Sequence, residues 1–478
     1  MEWFAAEDYD AARFVLQRGI ALLYLVAFVA VLRQFRPLLG EHGLLPVPRY
    51  LDRVGARTGP TLFRRRYSDR LVLAVGWAGV VLALSVVAGL PQSGPPWVPM
   101  LVFLAMYGLY LSVVNVGQVF YGFGWESLLL EAGFLAAFLG SDEVAPPVVV
   151  IFLFRWLVFR VEFGAGMIKM RGDVVWRDLT ALYYHHETQP MPGPLSWFFH
   201  HLPRPLHKVE VAANHVTQLV VPWLLFLPQP VASAAAAVIV VTQGWLVLSG
   251  NFAWLNWLTM VLAFSAVSDD VLDQFLPLRE ATHAPSPAWF VVIVLAVSVL
   301  LVVLSWWPAK NLLSKHQAMN ASFNQWHLVG AYGAFGSITR RRSEVVVEGT
   351  DDDDPFTSDW REYEFKGKPG STGRRPRQYA PYHLRLDWGM WFLALGSPSQ
   401  YRWFTVLLRR LLEADRPTLR LLAHDPFAGQ RPRYVRARVF RYRYSTFEEL
   451  RRTRQWWVRH EEGMLVAPQD LEAIRRLS

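Results

Sequence analysis

The sequence predicts a polytopic α-helical membrane bundle followed by a soluble, mainly β C-terminal domain. Of the 478 residues, 53% are hydrophobic and only 18% are charged, whereas soluble globular chains carry about a quarter charged residues. The apolar residues lie almost entirely before residue 310, and the chain beyond it is rich in arginine. We therefore predict a transmembrane domain over residues 1–310, a linker over 311–340 and a C-terminal domain over 341–478.

Long apolar runs supply the predicted spans, because a helix needs roughly 20 mostly apolar residues to cross a bilayer. Two further segments carry charges, one around Glu126 and Glu131 and the next around Arg155, Arg160 and Glu162. Counting them, we predict an integral membrane protein with about nine spans. The uncharged runs are Gly19–Leu32, Leu71–Leu90, Val98–Val119, Val148–Phe154, Val216–Leu227, Val231–Leu248, Phe252–Val267 and Trp289–Trp307.

The C-terminal part has the patterns of strands and short helices. Period-two alternation over Val435–Tyr444 predicts a strand with one basic face. Ser343–Val347 and Trp360–Phe365 are two more candidate strands, and Arg402–Glu413 and Thr446–Trp457 are candidate helices. A basic strand face could hold nucleic acid, but a solvated face, or one that rests on anionic lipid, is the simpler interpretation. We therefore predict the bilayer as a partner and no nucleic acid.

Five ionisable residues fall within predicted spans, where charges are costly and are usually paired or functional. The least costly arrangement pairs Glu131 or Glu126 with Arg155 or Arg160 on the next helix, while Glu162 lies seven residues after Arg155 on the same face. Such a network either holds the bundle together or lines a functional cavity. The sequence leaves both interpretations open.

A polar segment follows directly from these charges. Lys169 comes three residues after Gly166, at the expected membrane edge. It either extends its amine to the interface or acts as a base in a partly dry cavity. We predict that it lies at the mouth of a polar pocket near Glu162 and the turn formed by His185, His186 and Glu187.

Histidines are concentrated in the same region, where six of the thirteen fall between residues 185 and 215. Histidine clusters can bind metals or move protons. However, the sequence His-His-Glu at 185–187 is not the His-Glu-x-x-His ligand motif, and the chain has no cysteine for a thiolate site. We therefore predict interfacial histidines, no metal and no cofactor.

The segment Pro381–Trp391 combines charges with large aromatic residues. On a strand, Arg385 and Asp387 would point the same way because they are two apart, but such residues more often meet separate partners. The segment either forms a domain core that docks onto the membrane part or contacts a client protein. Its candidate site residues are Tyr382, His383, Arg385, Asp387, Trp388 and Trp391.

Several stretches, in order along nearly the whole chain, resemble the lipase maturation factor family. The resemblance implies a membrane protein that assists folding or assembly of secreted clients such as a lipase. It implies the endoplasmic reticulum membrane in a eukaryote and the inner membrane in a bacterium; the Cys-free, Arg-rich composition is more typical of a bacterium. The stretches are Tyr121–Phe134, Glu162–Pro194, Leu248–Thr259, Asn324–Gly336, Glu344–Thr350, Tyr363–Gly370, Ala380–Gly396, Asp425–Phe427 and Tyr434–Ala437.

A weaker resemblance links the chain to the vitamin-K-dependent carboxylases and related HTTM membrane proteins. It rests on Gly166, Lys169 and Trp176, and it places Lys169 where the carboxylases carry their catalytic lysine. It implies an alternative function, a lipid- or quinone-linked membrane enzyme that uses Lys169. A substrate-sized cavity beside Lys169 would favour the enzyme, and a fully packed membrane core would favour client binding.

Two arguments about membrane topology conflict. The segment Arg33–Arg70 carries nine arginines and should be cytoplasmic by the positive-inside rule. With nine spans, that rule also places the C-terminal domain in the cytoplasm. The family resemblance implies an extracytoplasmic C-terminal domain, and we favour this side because the domain must meet secreted proteins.

Overall fold

The computed structural model describes residues 2–277, 282–397 and 400–477. Apart from isolated bridges, helices are the only regular secondary structure among the described residues of its N-terminal part. Its helices are α1 (Asp10–Ala30), α2 (Arg36–Leu39), α3 (Val47–Val54), α4 (Asp69–Val87), α5 (Trp97–Val114), α6 (Gly124–Ala136), α7 (Val148–Arg171), α8 (Val174–Arg177), α9 (Leu182–Thr188), α10 (Ser196–His200), α11 (Arg204–Leu219), α12 (Val221–Leu224), α13 (Val231–Ser249), α14 (Leu255–Ala263), α15 (Asp269–Asp273), α16 (Ala288–Leu304) and α17 (Trp306–Leu313).

Among the residues that the structure describes, five helical stretches are long and apolar enough to cross a membrane. They are Asp10–Leu39, which runs from α1 through α2, then α4, α5 and α13, and finally Ala288–Leu313. In the last of these, only 28% of the most apolar 18 residues are buried inside the protein. Such a large exposed apolar surface needs a bilayer around it. The chain is therefore an integral membrane protein with about five spans by this criterion.

Four more helices of the bundle fall outside that criterion. Three of them, α6, α11 and α14, are too short, with 13, 16 and 9 residues. The fourth, α7, has 24 residues but carries the charges of Arg155, Arg160, Glu162 and Lys169 along its length. The predicted count of about nine spans depends on these four helices.

The loops of the bundle gather into two groups, one at each end. At the end where α1 begins, the Asp10 and Ala11 amides donate to Asp269, and Gln229 donates to the Ala266 carbonyl. At the other end, the Asn251 amide donates to the Met191 carbonyl. Helix α7 begins at the first group, where the Ala6 amide donates to the Pro146 carbonyl, and α14 runs from Leu255, after Asn251, to Ala263, before Ala266.

The C-terminal part contains a four-stranded antiparallel sheet with the order β2-β1-β3-β4. The three predicted strands are confirmed, and a fourth follows them. Five helices accompany the sheet, so the domain is mixed rather than mainly β. Its elements are β1 (Arg342–Thr350), β2 (Arg361–Tyr363), α18 (Arg385–Ala394), α19 (Tyr401–Leu412), α20 (Arg416–Leu419), β3 (Tyr434–Tyr444), α21 (Phe447–Thr453), β4 (Trp457–Gln469) and α22 (Leu471–Leu477).

Two details of the sequence interpretation are wrong. The helix predicted up to Trp457 already ends at Thr453, and Trp457 begins β4. The predicted single basic face of β3 is divided, because Arg436 and Arg438 lie on one face of the strand and the arginines at 441 and 443 on the other. Arg436 and Arg438 both pair with Glu348 on the neighbouring strand, which neutralises much of their charge.

Candidate functional site

A cavity of about 810 Å³ lies between the helical bundle and the C-terminal domain. Its walls come from α7, α11 and α13, from the segment 332–337, and from Trp388, Trp391 and Phe392 of α18. Most of the lining is apolar. Its polar side chains include Glu162, Lys169, His185, Glu210, Asn214, Gln218, Gln243 and Asn256.

Lys169 is buried at the wall of this cavity, with 6% of its surface exposed. Its Nζ donates to Asn214 Oδ1 and Gln218 Oε1, both at 2.9 Å, and lies 4.7 Å from the centre of the Trp176 ring. Within the described part of the chain, Lys169 forms no ion pair. Two neutral amides and an aromatic face therefore hold the amine inside the protein, and the lysine does not extend to the membrane surface.

Glu162 lies in the same wall, two helical turns before Lys169 on α7. Its Oε1 accepts from Gln243 Nε2 at 2.5 Å, and Asn256 Nδ2 donates to Gln243 Oε1 at 2.6 Å. Its Oε2 is buried and has no hydrogen-bond partner among the described residues. The cavity thus presents one amine and one carboxylate oxygen whose hydrogen bonding is incomplete.

Glu131 and Arg160 form a buried ion pair, one of the pairings that the sequence suggested. Glu131 Oε2 also accepts from the Tyr332 hydroxyl at 2.7 Å and from the Gly330 amide at 3.2 Å. Arg160 Nη1 donates to the Gly330 carbonyl at 2.8 Å. The pair therefore anchors part of the predicted linker inside the bundle.

The other pairings suggested by the sequence are not formed. Arg155 donates instead to the carbonyls of Leu225 and Ser265 at 3.2 and 3.1 Å and to the Tyr9 hydroxyl at 2.8 Å. Glu126 pairs with a residue of the C-terminal domain. Neither lines the cavity, so both act in packing the chain together.

That partner of Glu126 is Arg385, at 2.6 Å between Nη1 and Oε1, and both side chains are fully buried. Arg385 also donates to the Phe120 carbonyl at 2.7 Å, and its guanidinium lies 3.4 Å from the centre of the Tyr121 ring. The surrounding segment forms helix α18 rather than a strand, and the two charged residues meet separate partners. Asp387 accordingly points elsewhere, and accepts from two amides of its own domain.

The rest of the motif also docks onto the bundle. The His383 carbonyl accepts from Gln34 Nε2 at 2.7 Å, and Trp391 Nε1 donates to the Thr188 carbonyl at 3.1 Å. Trp388 packs edge-on against Trp125, with ring centres 4.9 Å apart. Tyr382 is partly buried against the same core.

The side chains of the polar segment that follows α7 contact several different parts of the protein. Trp176 Nε1 donates to the Phe335 carbonyl at 2.7 Å, and His185 lines the cavity beside Lys169. Glu187 accepts from the Tyr444 amide at 2.8 Å, and burial raises the pKa of its carboxyl group. His186 and Glu187 lie outside the cavity lining, so the predicted turn is only partly at the pocket.

The sequence interpretation missed several polar residues of this region. Asn214 and Gln218, which hold Lys169, lie four apart in α11, the spacing that places two side chains on one helical face. Glu210 lies three residues after His207, one of the six clustered histidines, and both side chains approach His186. The signal available in the sequence was this helical spacing of polar groups within an otherwise apolar region.

Two family models match the chain. The lipase maturation factor transmembrane domain matches residues 11–274, and the lipase maturation factor C-terminal domain matches residues 328–467. The chain is 39% identical to lipase maturation factor 1 of Homo sapiens, over 97% of this chain and 88% of that protein.

Other relatives also cover nearly the whole chain. Lipase maturation factor 1 of Bos taurus is 38% identical, over 98% of this chain and 91% of its own length. Lipase maturation factor 2 of Gallus gallus is 29% identical, over 92% of this chain and 79% of its own length. No solved structure is significantly similar to this chain.

Proposed function

The chain belongs to the lipase maturation factor family, and on that premise we propose that it assists the maturation of secreted lipases. The observation that carries this proposal is the 39% identity to lipase maturation factor 1 over 97% of the chain. That similarity extends over both the membrane part and the C-terminal domain, so it is not confined to one domain.

A lipase co-expressed with this chain tests the proposal. We expect a host that lacks the chain to accumulate lipase protein of low specific activity, and a host that carries it to secrete active lipase. A secreted protein of another class, measured in parallel, should be unaffected. Equal lipase mass and equal specific activity with and without the chain would overturn the proposal.

The proposed topology has nine crossings, with the two termini on opposite sides of the membrane. Its support is that α6, α7, α11 and α14 connect the same two groups of loops as the apolar spans. The residues 1–310 then form the membrane domain, and 311–340 connect it to the C-terminal domain at 341–478. Part of this connection packs back into the bundle through Glu131.

The Arg-rich segment 33–70 and the C-terminal domain lie at the same end of the bundle, since Gln34 contacts His383 and Arg410 contacts the His42 carbonyl. We propose that this end is extracytoplasmic, in the endoplasmic reticulum of a eukaryote or at the inner membrane of a bacterium. Alkaline phosphatase fused to the C-terminus should then be active. Silent phosphatase together with an active cytoplasmic reporter would overturn this orientation.

The motif around Arg385 acts, in this proposal, as the dock that fixes the C-terminal domain on the bundle. Its support is the burial of Arg385, His383 and Trp388, which leaves these side chains no surface for a client. Client contact would then use other surfaces. An Arg385→Met variant that accumulates normally but no longer binds the lipase would contradict this assignment.

A second candidate function is favoured by the cavity beside Lys169. Its volume of about 810 Å³ and its apolar walls suit a lipid or quinone, and a buried amine held by neutral amides can serve as a base when it is unprotonated. The test is Lys169→Met, with the exposed Lys310→Met as the matched control. Loss of lipase activity on co-expression with a folded Lys169→Met protein would support the enzyme, and full lipase activity would exclude it.

A further inference from the structure

We propose that His186, His207 and Glu210 form a binding site for a divalent transition metal of the Zn²⁺ class. One ligand atom from each residue lies within 4.8 Å of the others. Around Zn²⁺, with bonds of about 2.0–2.1 Å, tetrahedral ligand atoms are about 3.4 Å apart. Small side-chain rotations would therefore close the three atoms around one ion. The inference is independent of any role in lipase maturation.

His186 gives the first reason. It is buried, with 1% of its surface exposed, and neither of its ring nitrogens has a hydrogen-bond partner among the described residues. A neutral imidazole carries one N–H donor and one lone pair, and leaving them unsatisfied in the interior is costly. A metal ion would bind the lone pair, and imidazole is a favoured ligand of zinc and similar metals.

His207 and Glu210 give the second reason, because they are already oriented as a pair. They lie three apart on α11 and share one helical face. His207 Nε2 lies 3.3 Å from the His200 carbonyl, which fixes the tautomer whose Nδ1 lone pair is free, and Nδ1 has no partner in the described chain. Glu210 Oε1 accepts from Trp245 Nε1 at 2.8 Å. Hydrogen bonds of this kind, from a ligand side chain to a neighbour that orients it, are typical of metal ligands.

The place of the cluster suggests what the metal does. His186 belongs to α9 and the other two ligands to α11, so one ion would join these helices. Glu210 also lines the cavity that contains Lys169. Three protein ligands leave the fourth tetrahedral position for water or for a ligand, as in open zinc sites.

The test uses the full chain, purified in detergent with a tag that contains no histidine. Metal-free protein is titrated with Co²⁺ and then with Zn²⁺, and bound metal is measured by mass spectrometry. We expect one ion per chain, an absorption spectrum of four-coordinate Co²⁺, and its loss on Zn²⁺ addition. His207→Asn and Glu210→Gln should lose the ion, and Trp245→Phe should bind it about 10–100-fold more weakly.

The matched control is His201→Asn. Its Nδ1 lies 2.7 Å from the Trp197 carbonyl and it is outside the cluster, so this variant should bind the ion normally. Absence of bound metal in the unaltered chain would overturn the proposal. Metal retained by both ligand variants, or lost equally in His201→Asn, would overturn it too. If the ligand variants do not fold, saturation of the unaltered chain at one equivalent of Co²⁺ decides the question.

Discussion

Removing the positive charge of Arg385 should destabilise the whole protein, because it leaves Glu126 as an unpaired buried carboxylate. The two side chains are fully buried and 2.6 Å apart, and they join positions 259 residues apart in the sequence. Tyr110 donates to the other carboxylate oxygen, and His383 Nδ1 lies 3.5 Å from Oε1. Because burial lowers the pKa of His383, its ring stays neutral at pH 7, and neither neighbour neutralises the charge. We therefore expect Arg385→Met to separate the C-terminal domain from the bundle before the bundle itself unfolds.

The expected size of the effect follows from burial. Breaking a buried ion pair by removing one partner costs about 3–5 kcal/mol, whereas an exposed pair contributes about 0–1 kcal/mol. The matched control is Arg443→Met, whose pair with Glu449 has side chains that are 42% and 27% exposed. The double variant Arg385→Met, Glu126→Leu removes both charges and should recover most of the lost stability, since apolar replacements of buried pairs are often neutral.

The assay is denaturant-induced unfolding of detergent-purified protein, followed for the unaltered chain, Arg385→Met, Glu126→Leu, the double variant and the control Arg443→Met. A double-mutant cycle then isolates the interaction between the two residues. An Arg385→Met protein that unfolds at the same denaturant concentration as Arg443→Met would refute the reasoning. So would a double variant that is less stable than either single variant.

Three further predictions concern packing and pH. Gly164→Ala should cost about 1–3 kcal/mol in thermal unfolding, because a Cβ would lie 2.3 Å from the Tyr332 carbonyl oxygen; Gly108→Ala, in open space, is its control and should not destabilise. Burial lowers the pKa of His383 from 6.5 to about 4, so between these pH values only the unfolded state binds a proton there. The free energy of unfolding should therefore be highest above pH 6.5 and fall as the pH drops towards 4. Unfolding midpoints measured against pH should show a smaller fall in His383→Asn. Asn251→Ala should leave the amides at 379 and 380 unsatisfied, costing about 1–3 kcal/mol each; normal proteolytic resistance of the C-terminal domain would contradict this.

The sequence by itself determined the features that depend on short-range periodicity. Apolar runs of about 20 residues identify spans, and alternation identifies β3, because the repeat of a strand or helix is contained in a few neighbouring residues. It also indicated that charges within the bundle must be paired, which Glu131 and Arg160 satisfy. The local cost of burying a charge is enough to predict that a partner exists.

Only the tertiary structure decided which partner each charge has. Glu126 is bound by Arg385, far along the chain, and the Gly330 amide of the connecting segment reaches Glu131. The same holds for the cavity beside Lys169 and for the approach of His186 to α11. These contacts depend on how helices and the C-terminal domain pack in space, and sequence spacing carries no information about distances between separate elements.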